Sequence, residues 1–163
     1  MKAIFLQLAG FNVWANESLL KVLSQLPESK LEENFASSFS TITKTVLHMY
    51  DAEMIWWQRL KLREKPVVPS ESFTGNFAEL AQLVLTQNRQ WMQWIQQAQE
   101  HMLLHEFIYH NSKREQFKQP VYQVLLQVFN HGTYHRGQLV NMLRQAGMEK
   151  IPQTDFIVYS RKK

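Results

Sequence analysis

The chain contains no cysteine among its 163 residues. This absence excludes disulfides, zinc–thiolate sites and a cysteine nucleophile. Any metal must therefore be held by histidine and carboxylate side chains, and any thiol chemistry must use a thiol supplied from outside. A chain without cysteine suits a reducing compartment, so we expect a cytoplasmic protein.

Long apolar runs are also missing. No stretch approaches the ~18 apolar residues that a membrane span requires, so we expect no membrane association. The opening, MKAIFLQLAGFNVWANESLL, holds one lysine and a short apolar patch that polar residues soon interrupt. Because it lacks a small-residue cleavage site, we interpret it as the start of a first helix rather than as a signal peptide.

Charge of one sign is not concentrated in any segment. The net charge is +4 at pH 7, and basic residues form only short groups at residues 59–65 and 161–163. Such groups are usually solvated surface, and no nucleic-acid recognition motif accompanies them. We expect no nucleic-acid partner and a small-molecule substrate instead.

Glycine and proline are scarce, with five of each, and they fall where a helical protein breaks its chain. Residues 64–76 combine prolines, a glycine and short polar residues, which is typical of a connecting loop. Between the breaks, apolar residues recur at spacings of three and four, which predicts amphipathic helices. Four segments show this pattern: residues 3–26, residues 38–63, a segment from Asn76 through Ala98, and residues 120–146. The predicted fold is all-α, an antiparallel four-helix bundle in a single domain over residues 1–163.

Two segments favour extended structure instead. Residues 105–119 are rich in β-forming residues around a polar NSK turn, which predicts a small β-hairpin between the third and fourth helices. Residues 152–160 contain a β-leaning apolar run, so we expect an extended C-terminal tail.

His131 and His135 lie four residues apart on the apolar stripe of the fourth helix. Side chains at this spacing lie one turn apart, so two imidazoles can converge on one ion. Alternatively, each is a core histidine that is hydrogen-bonded by a neighbour. Gly132 follows the first histidine, so the general-base glutamate of an HExxH protease is missing, and the Glu-x-x-His pairs of a di-iron bundle are absent too. A mononuclear site and a pair of core histidines stay open as alternatives.

A metal site normally needs a third protein ligand. His101, His105 and His110 fall near the end of the third helix and in the predicted hairpin, where we expect solvated positions. His48 lies inside the second helix, but about 120° from the centre of its apolar stripe. Periodicity alone therefore does not select the third ligand.

Four motifs together resemble the DinB family across almost the whole chain: FNVWAN, HMYDAEMIWWQRL, NHGTYHRGQL and IPQTDFIVY. The resemblance implies a four-helix bundle, usually a homodimer, that binds one divalent metal such as zinc or nickel. It also implies ligands from the second helix and from a pair four apart on the fourth. In this sequence those ligands are His48, His131 and His135, and it is the resemblance that selects His48.

The resemblance further implies metal-dependent chemistry. Relatives in the wider superfamily resemble S-transferases, so we favour S-transfer with a low-molecular-weight thiol as co-substrate. A metal-dependent hydrolase, a non-catalytic metal-binding stress-response module and a plain helical scaffold stay open as alternatives.

Further candidates for catalysis are Glu53, Tyr134, Arg136 and Gln138. Glu53 falls on the apolar stripe of the second helix, and the alternative interpretation is a buried acid paired with Arg136. The five tryptophans lie at helical spacings that predict core packing or a dimer interface rather than a substrate cleft.

Overall fold

The computed structural model describes residues 1–162. Lys163, the last residue of the predicted domain, lies outside them. The four long helices are α1 (Lys2–Leu23), α3 (Ile42–Leu60), α4 (Phe77–Gln97) and α6 (Val121–Gln145). The short elements are α2 (Glu28–Leu31), a 3₁₀ turn (Pro69–Glu71), α5 (Glu100–Leu104) and α7 (Phe156–Ser160). Within residues 1–162, no helix is long and apolar enough to cross a membrane.

The starts of two long helices are set by polar caps. The Thr41 hydroxyl accepts a hydrogen bond from Lys44 N at 3.1 Å and begins α3. Asn76 and Glu79 form a reciprocal capping box that begins α4, as the sequence predicts for Asn76. The predicted second helix is shorter than expected at both ends, because Thr41 begins it and Leu62 leaves helical geometry at φ 56°.

The directions of the four long helices follow from contacts between them. Helices α1 and α4 run antiparallel, because Lys2 contacts Gln96 and Asn16 contacts Asn88. Helices α3 and α6 are also antiparallel, because Thr45 contacts Met142 and His48 contacts His131. Helices α3 and α4 run parallel, because Glu53 contacts Asn88 and Trp57 contacts Trp91. The predicted four-helix bundle is confirmed, and its order of directions is up-down-down-up, so α1 and α6 run parallel.

The parallel pair α3 and α4 requires a connection that returns along the bundle. Residues 61–76 make this return, and they include the predicted loop. Gln58 holds the loop against α3, because its amide donates to Val67 O and accepts from Val67 N, each at 2.9 Å. Nearer the start of α3, the Asp51 carboxylate accepts from Ser70 N at 2.9 Å. The loop therefore runs backwards along the helix that precedes it.

A layer of buried polar side chains divides the apolar core in two. One apolar cluster includes Leu19, Ile42, Leu80 and Leu139, and the other includes Phe5, Trp91, Leu125 and Phe129. Between them lie the buried side chains of Asn12, Asn16, Glu53, Asn88 and Arg136. The fully buried Trp91 packs edge-on against Trp57, with ring centroids 4.9 Å apart, in agreement with the core role predicted from tryptophan spacing.

The predicted hairpin is confirmed between α5 and α6. Strand β1 (Glu106–His110) pairs antiparallel with β2 (Gln116–Pro120). The Asn111 side chain accepts from Lys113 N at 2.9 Å and from Glu115 N at 3.0 Å, which fixes the turn.

The expected extended tail is wrong over Phe156–Ser160, which form the short helix α7. A spacing of three places Phe156 and Tyr159 on one helical face, whereas a strand would point them to opposite sides. Both rings pack on α1, Phe156 against Phe11 at 5.3 Å and Tyr159 against Trp14 at 5.6 Å. Gly10 permits this approach, since a Cβ there would collide with the Tyr159 hydroxyl. Contact with α1 therefore outweighs the β preference of the tail.

Candidate metal centre

Three histidines from two antiparallel helices converge at one point. His131 Nε2 lies 3.1 Å from His48 Nε2 and 3.0 Å from His135 Nε2. All three potential ligand atoms lie within 4.8 Å of one another. Within residues 1–162, this is the one group of three or more potential metal ligands. His101, His105 and His110 are exposed and lie outside it, as expected.

The spacing of the three imidazoles fits a first-row divalent ion. With metal–nitrogen bonds of about 2.1 Å, adjacent nitrogen ligands are separated by about 3.0–3.4 Å in octahedral and tetrahedral sites. The two short nitrogen–nitrogen distances, 3.1 and 3.0 Å, match this range. The residues that the family resemblance implies are thus placed as ligands of one ion would be.

Gln138 orients one of the imidazoles. His135 Nδ1 lies 2.7 Å from Gln138 Oε1, and an amide oxygen can only accept a hydrogen bond. Nδ1 therefore carries the proton, and Nε2 presents its lone pair to the centre of the cluster. A polar partner on the outer nitrogen is the usual support of a metal-ligating histidine.

Hydrogen bonding among neutral histidines does not account for the two short contacts of His131. The His131 Nε2 atom has either one proton or one lone pair, and His135 Nε2 has only a lone pair. A single proton satisfies one linear hydrogen bond and leaves the other contact between two lone pairs or two protons, and a three-centre bond shared by both neighbours would hold each of them only weakly. A cation at the centre resolves both contacts at once, so the geometry favours metal ligands over core histidines.

The protonation state of the cluster also suits ligation. Burial, together with the charges of His135 and His48, lowers the pKa of His131 to about 4. Burial lowers the pKa values of His48 and His135 as well. The imidazoles are therefore neutral at pH 7, which is the form that binds a metal.

The loop between α2 and α3 covers one side of the cluster. The Phe39 ring stacks on His48, with centroids 4.1 Å apart, and the Ser38 hydroxyl accepts from Gln138 Nε2 at 3.2 Å. The buried Phe35 side chain anchors this loop in the core. Sequence patterns do not identify Ser38 or Phe39, because nothing local shows that a loop before α3 returns over α6.

Periodicity placed His48 away from the stripe of α3, and its actual position explains why. The buried centre of α3 follows Val46, Met49 and Glu53, whereas His48 is half-buried at the junction of α3 with α6. A side chain at such a junction meets the neighbouring helix without lying at the centre of the core. The hydrophobic pattern of a single helix does not reveal this position.

Next to the histidines, buried amides connect Arg136 to Glu53 along two paths. In the first, Arg136 Nη1 donates to Asn12 Oδ1 at 2.6 Å, and Asn12 Nδ2 donates to Glu53 Oε1 at 3.2 Å. In the second, Arg136 Nη1 donates to Asn16, Asn16 donates to Asn88, and Asn88 donates to both Glu53 carboxylate oxygens. Asn12 is thus oriented by Arg136 on one side and Glu53 on the other, whereas Asn16 and Asn88 each meet one of these groups and the other amide.

Glu53 and Arg136 do not form the direct pair considered from the sequence. Within residues 1–162, the ion pairs within 4.0 Å do not include them. Burial raises the pKa of Glu53 to about 7, against the lowering effects of the two asparagines and of Arg136. Burial lowers the pKa of Arg136 to about 10, so it stays charged at neutral pH.

The amides of this layer are functional neighbours that sequence reasoning missed. Asn12 and Asn16 lie four apart on the buried face of α1, between Ala9 and Leu19. Two amides one turn apart on a core face need partners, and that pattern is the one available sequence signal for them.

Gly132 has a spatial role besides excluding the protease motif. A Cβ at Gly132 would lie 3.0 Å from Asn12 Oδ1 and 3.2 Å from Arg136 Nη1. The absence of a side chain therefore leaves room for the first path between Arg136 and Glu53.

Tyr134 lies at the exposed rim of the histidine cluster. Its side chain is 60% exposed, and its ring meets His135 edge-on at 5.0 Å. The hydroxyl accepts from Gln138 Nε2 at 3.3 Å. Of the further candidates for catalysis, Tyr134 and Gln138 thus lie beside the histidines at the surface, whereas Glu53 and Arg136 face the interior.

Comparison with known sequences identifies the family of this chain. A sequence profile of the DinB family matches residues 1–163. Protein DinB of Bacillus subtilis (strain 168) is 29% identical in an alignment 162 positions long, and the alignment covers 94% of this chain and 91% of that protein.

Solved structures share the fold at low sequence identity. YfiT from Bacillus subtilis, described as a probable metal-dependent hydrolase with an unusual four-helix bundle topology, superposes with a TM-score of 0.70 at 15% identity, over 91% of this chain and 89% of that one. A DinB-like protein from Bacillus cereus ATCC 10987 gives a TM-score of 0.65 at 19% identity, over 85% and 89% of the two chains. A DinB-like protein from Bacillus subtilis gives 0.66 at 15% identity, over 91% and 98%. At these identities the similarity establishes the bundle fold.

Proposed function

This chain belongs to the DinB family, and we propose that it is a divalent-metal-dependent enzyme that acts on a small molecule. The observation that carries the proposal is the double contact of His131 Nε2 with His48 at 3.1 Å and with His135 at 3.0 Å. A cation between the three neutral imidazoles would satisfy both contacts at once.

Zinc or nickel is the proposed ion, held by His48, His131 and His135. Imidazole ligands suit both metals, and the cluster offers no thiolate that would select softer ions. When bound, an ion held by three neutral imidazoles retains its full positive charge and acidifies a coordinated water or thiol. Gln138 keeps His135 in the ligating tautomer, and Phe39 shields the His48 side of the cluster from water.

We propose S-transfer from a low-molecular-weight thiol as the reaction. Within residues 1–162, no carboxylate joins the three histidines, and a thiolate needs no carboxylate base once it has lost its proton. The thiol sulfur forms a bond to an electrophilic carbon, the leaving group departs with its electron pair, and the thiol proton passes to solvent. Tyr134 is placed to contact the substrate at the rim. Glu53 and Arg136 receive no proton-transfer role, because they are buried and already hydrogen-bonded.

Metal-dependent hydrolysis is the second candidate, favoured by the structural similarity to YfiT, which is itself described as a probable metal-dependent hydrolase. Water would replace the thiol as nucleophile at the same histidines. A binding module without turnover would use the same site but release no product.

Metal content tests the shared part of these proposals. Protein purified without a histidine tag should hold about one equivalent of divalent metal after reconstitution, and His131→Ala should hold almost none. His101→Ala is the matched control, because it removes an exposed histidine outside the cluster. Retention of metal by His131→Ala, or its absence from the reconstituted wild type, would overturn the metal site.

Turnover then separates the reactions. The metal-loaded protein is mixed with monochlorobimane and a panel of bacterial thiols, and separately with activated esters. S-transfer predicts a metal-dependent thioether product and released chloride with at least one thiol, lost in His131→Ala. Ester cleavage without thioether formation would support the hydrolase, and neither product would support a binding module.

Assembly as a homodimer and location in the cytoplasm are further proposals; the family resemblance supports the first, and the absence of cysteine suits the second. Sedimentation at micromolar concentration tests the first, since a dimer has twice the mass of the 19.4 kDa chain. Fractionation of the source cells tests the second.

A further inference from the structure

A cleft of about 640 Å³ lies between the hairpin turn, α3 and the loop that follows α3. We call it the hairpin cleft. Its charged lining consists of Arg59, Glu64, Lys65 and Arg114, together with His110. Three cationic side chains and one carboxylate therefore line the cleft.

Arg59 is the most constrained of these cations. Its guanidinium carbon lies 4.6 Å from the centre of the Trp56 ring and 5.1 Å from that of Tyr109. The two rings themselves meet edge-on at 5.0 Å. Aromatic faces attract a guanidinium but accept no strong hydrogen bonds, so they hold Arg59 in place without satisfying its N–H groups.

The half-buried Arg59 side chain also lacks hydrogen-bond and ion-pair partners. Its Nε–H is buried, and among residues 1–162 it finds no hydrogen-bond acceptor. The ion pairs within 4.0 Å in the same residues do not include Arg59. Arg136, in contrast, donates to Asn12, Asn16 and Thr133. An unpartnered guanidinium at the wall of a cationic cleft is arranged to receive an anion from solution.

The opposite wall is held rigidly. Arg114 adopts the left-handed conformation, with φ 63°, and its N–H donates to Asn111 O at 3.0 Å. The Asn111 side chain fixes the same turn through Lys113 N and Glu115 N. The turn thus fixes the backbone of Arg114, which lines the same cleft as Arg59.

We propose that the hairpin cleft binds a small organic anion, through a carboxylate or phosphate group that the Arg59 guanidinium receives, with Lys65 and Arg114 in support. The site is separate from the histidines. Arg59 follows His48 by eleven residues on α3, a distance of about 16 Å along the helix axis. Binding of the anion therefore does not depend on the proposed metal or reaction.

The Nε–H resonance of Arg59 provides a direct readout by ¹H–¹⁵N NMR, because a buried N–H exchanges slowly. Inorganic phosphate and succinate are titrated against sodium chloride of equal ionic strength. We expect a saturable shift of this resonance with at least one of the two anions and no comparable shift with chloride. If phosphate and succinate shift this resonance no more than chloride does, the proposal is overturned.

Variants then assign the binding to the cleft, with affinity measured by isothermal titration calorimetry because the Arg59 variants lack the Arg59 resonance. Arg59→Gln should weaken binding at least tenfold, and Arg59→Lys should weaken it less. Arg89→Gln, which changes the net charge equally but removes a surface pair with Glu17, should alter it less than twofold. Unchanged affinity in Arg59→Gln overturns the proposal, and the readout on wild-type protein keeps the test valid if that variant fails to fold.

Two further arms exclude other sources of anion binding. His131→Ala should bind the anion as the wild type does, whereas loss of binding in this variant would place the anion on the metal and overturn the proposal. Cosedimentation with phosphatidylglycerol vesicles tests a lipid headgroup, and binding to vesicles without binding to either free anion also overturns it.

Discussion

Arg136 and Glu53 share one buried layer without touching, because Asn12 lies between them and bonds to both, accepting from Arg136 at 2.6 Å and donating to Glu53 at 3.2 Å. The oxygen of the Asn12 amide faces the Arg136 guanidinium, and its nitrogen faces the Glu53 carboxyl group. A buried charge is tolerated only when its hydrogen bonds are satisfied. The layer therefore joins α1, α3, α4 and α6 next to the histidine cluster.

Removal of the Asn12 amide should destabilise the protein strongly. Asn12→Ala leaves both Arg136 and Glu53 short of a buried partner, so we expect the free energy of unfolding to fall by roughly 2–4 kcal/mol. Asn130→Ala removes an exposed amide of α6 and should change it by less than about 0.5 kcal/mol. Urea unfolding followed by circular dichroism measures both, and equal stability of the two variants would contradict the role given to Asn12.

The two glycines of the histidine motif should respond oppositely to alanine. Gly137→Ala adds a methyl group where no atom lies within 4 Å, and alanine should stabilise the helix there by about 0.5–1 kcal/mol. Gly132→Ala gains the same helix preference but presses on Asn12 and Arg136, so we expect net destabilisation. Thermal unfolding of both variants is the measurement. Stabilisation by both substitutions would show that the space at Gly132 is not needed.

Gln138 should affect metal affinity without being a ligand. In Gln138→Ala, His135 loses the acceptor of its Nδ1 proton, and we expect the affinity for zinc to fall about 10–100-fold. Gln138→Glu keeps an acceptor and should restore affinity. Gln127→Ala, at an exposed position of the same helix, is the control. Competition with a chromophoric chelator measures all four proteins, and equal affinities would remove Gln138 from the site.

Glu53 should make stability depend on pH in a defined direction. Its pKa rises from 4.5 to about 7 on folding, so between these values the unfolded chain releases the proton first. The contribution of Glu53 therefore falls as pH rises through this range, by an amount on the order of 3 kcal/mol. Above the folded pKa the loss is complete.

The test compares metal-free wild type with Glu53→Gln by urea unfolding from pH 4.5 to 8. The free energy of unfolding of wild type, relative to that of the variant, should decline across this range as Glu53 loses its proton. The histidines titrate equally in both proteins, so their contribution cancels in the difference. Glu28→Gln, which removes an exposed carboxylate, controls for the change in charge. Parallel curves for wild type and Glu53→Gln would contradict the pKa shift.

Several features of this protein were determined by local sequence. Apolar spacings of three and four predicted the four long helices, and the Asn76 capping box and the polar NSK turn predicted a helix start and the hairpin. The spacing of four between His131 and His135 placed both imidazoles on one face of α6. These predictions succeed because they depend on residues within one or two turns of each other.

Other features were decided only by the packing of distant segments. His48 meets His131 because α3 and α6 run antiparallel side by side, which the pattern of α3 alone cannot show. The helix directions depend on the return of residues 61–76 along α3. The tail became helical through contact with Phe11 and Trp14, against its own β preference. Arg136 and Glu53 are buried together because Asn12 of α1 lies between them, and Asn16 of α1 and Asn88 of α4 form a second path. In each case the structure is decided by the free energy of contacts between elements that are far apart in the chain. The pattern of one short segment cannot predict such contacts.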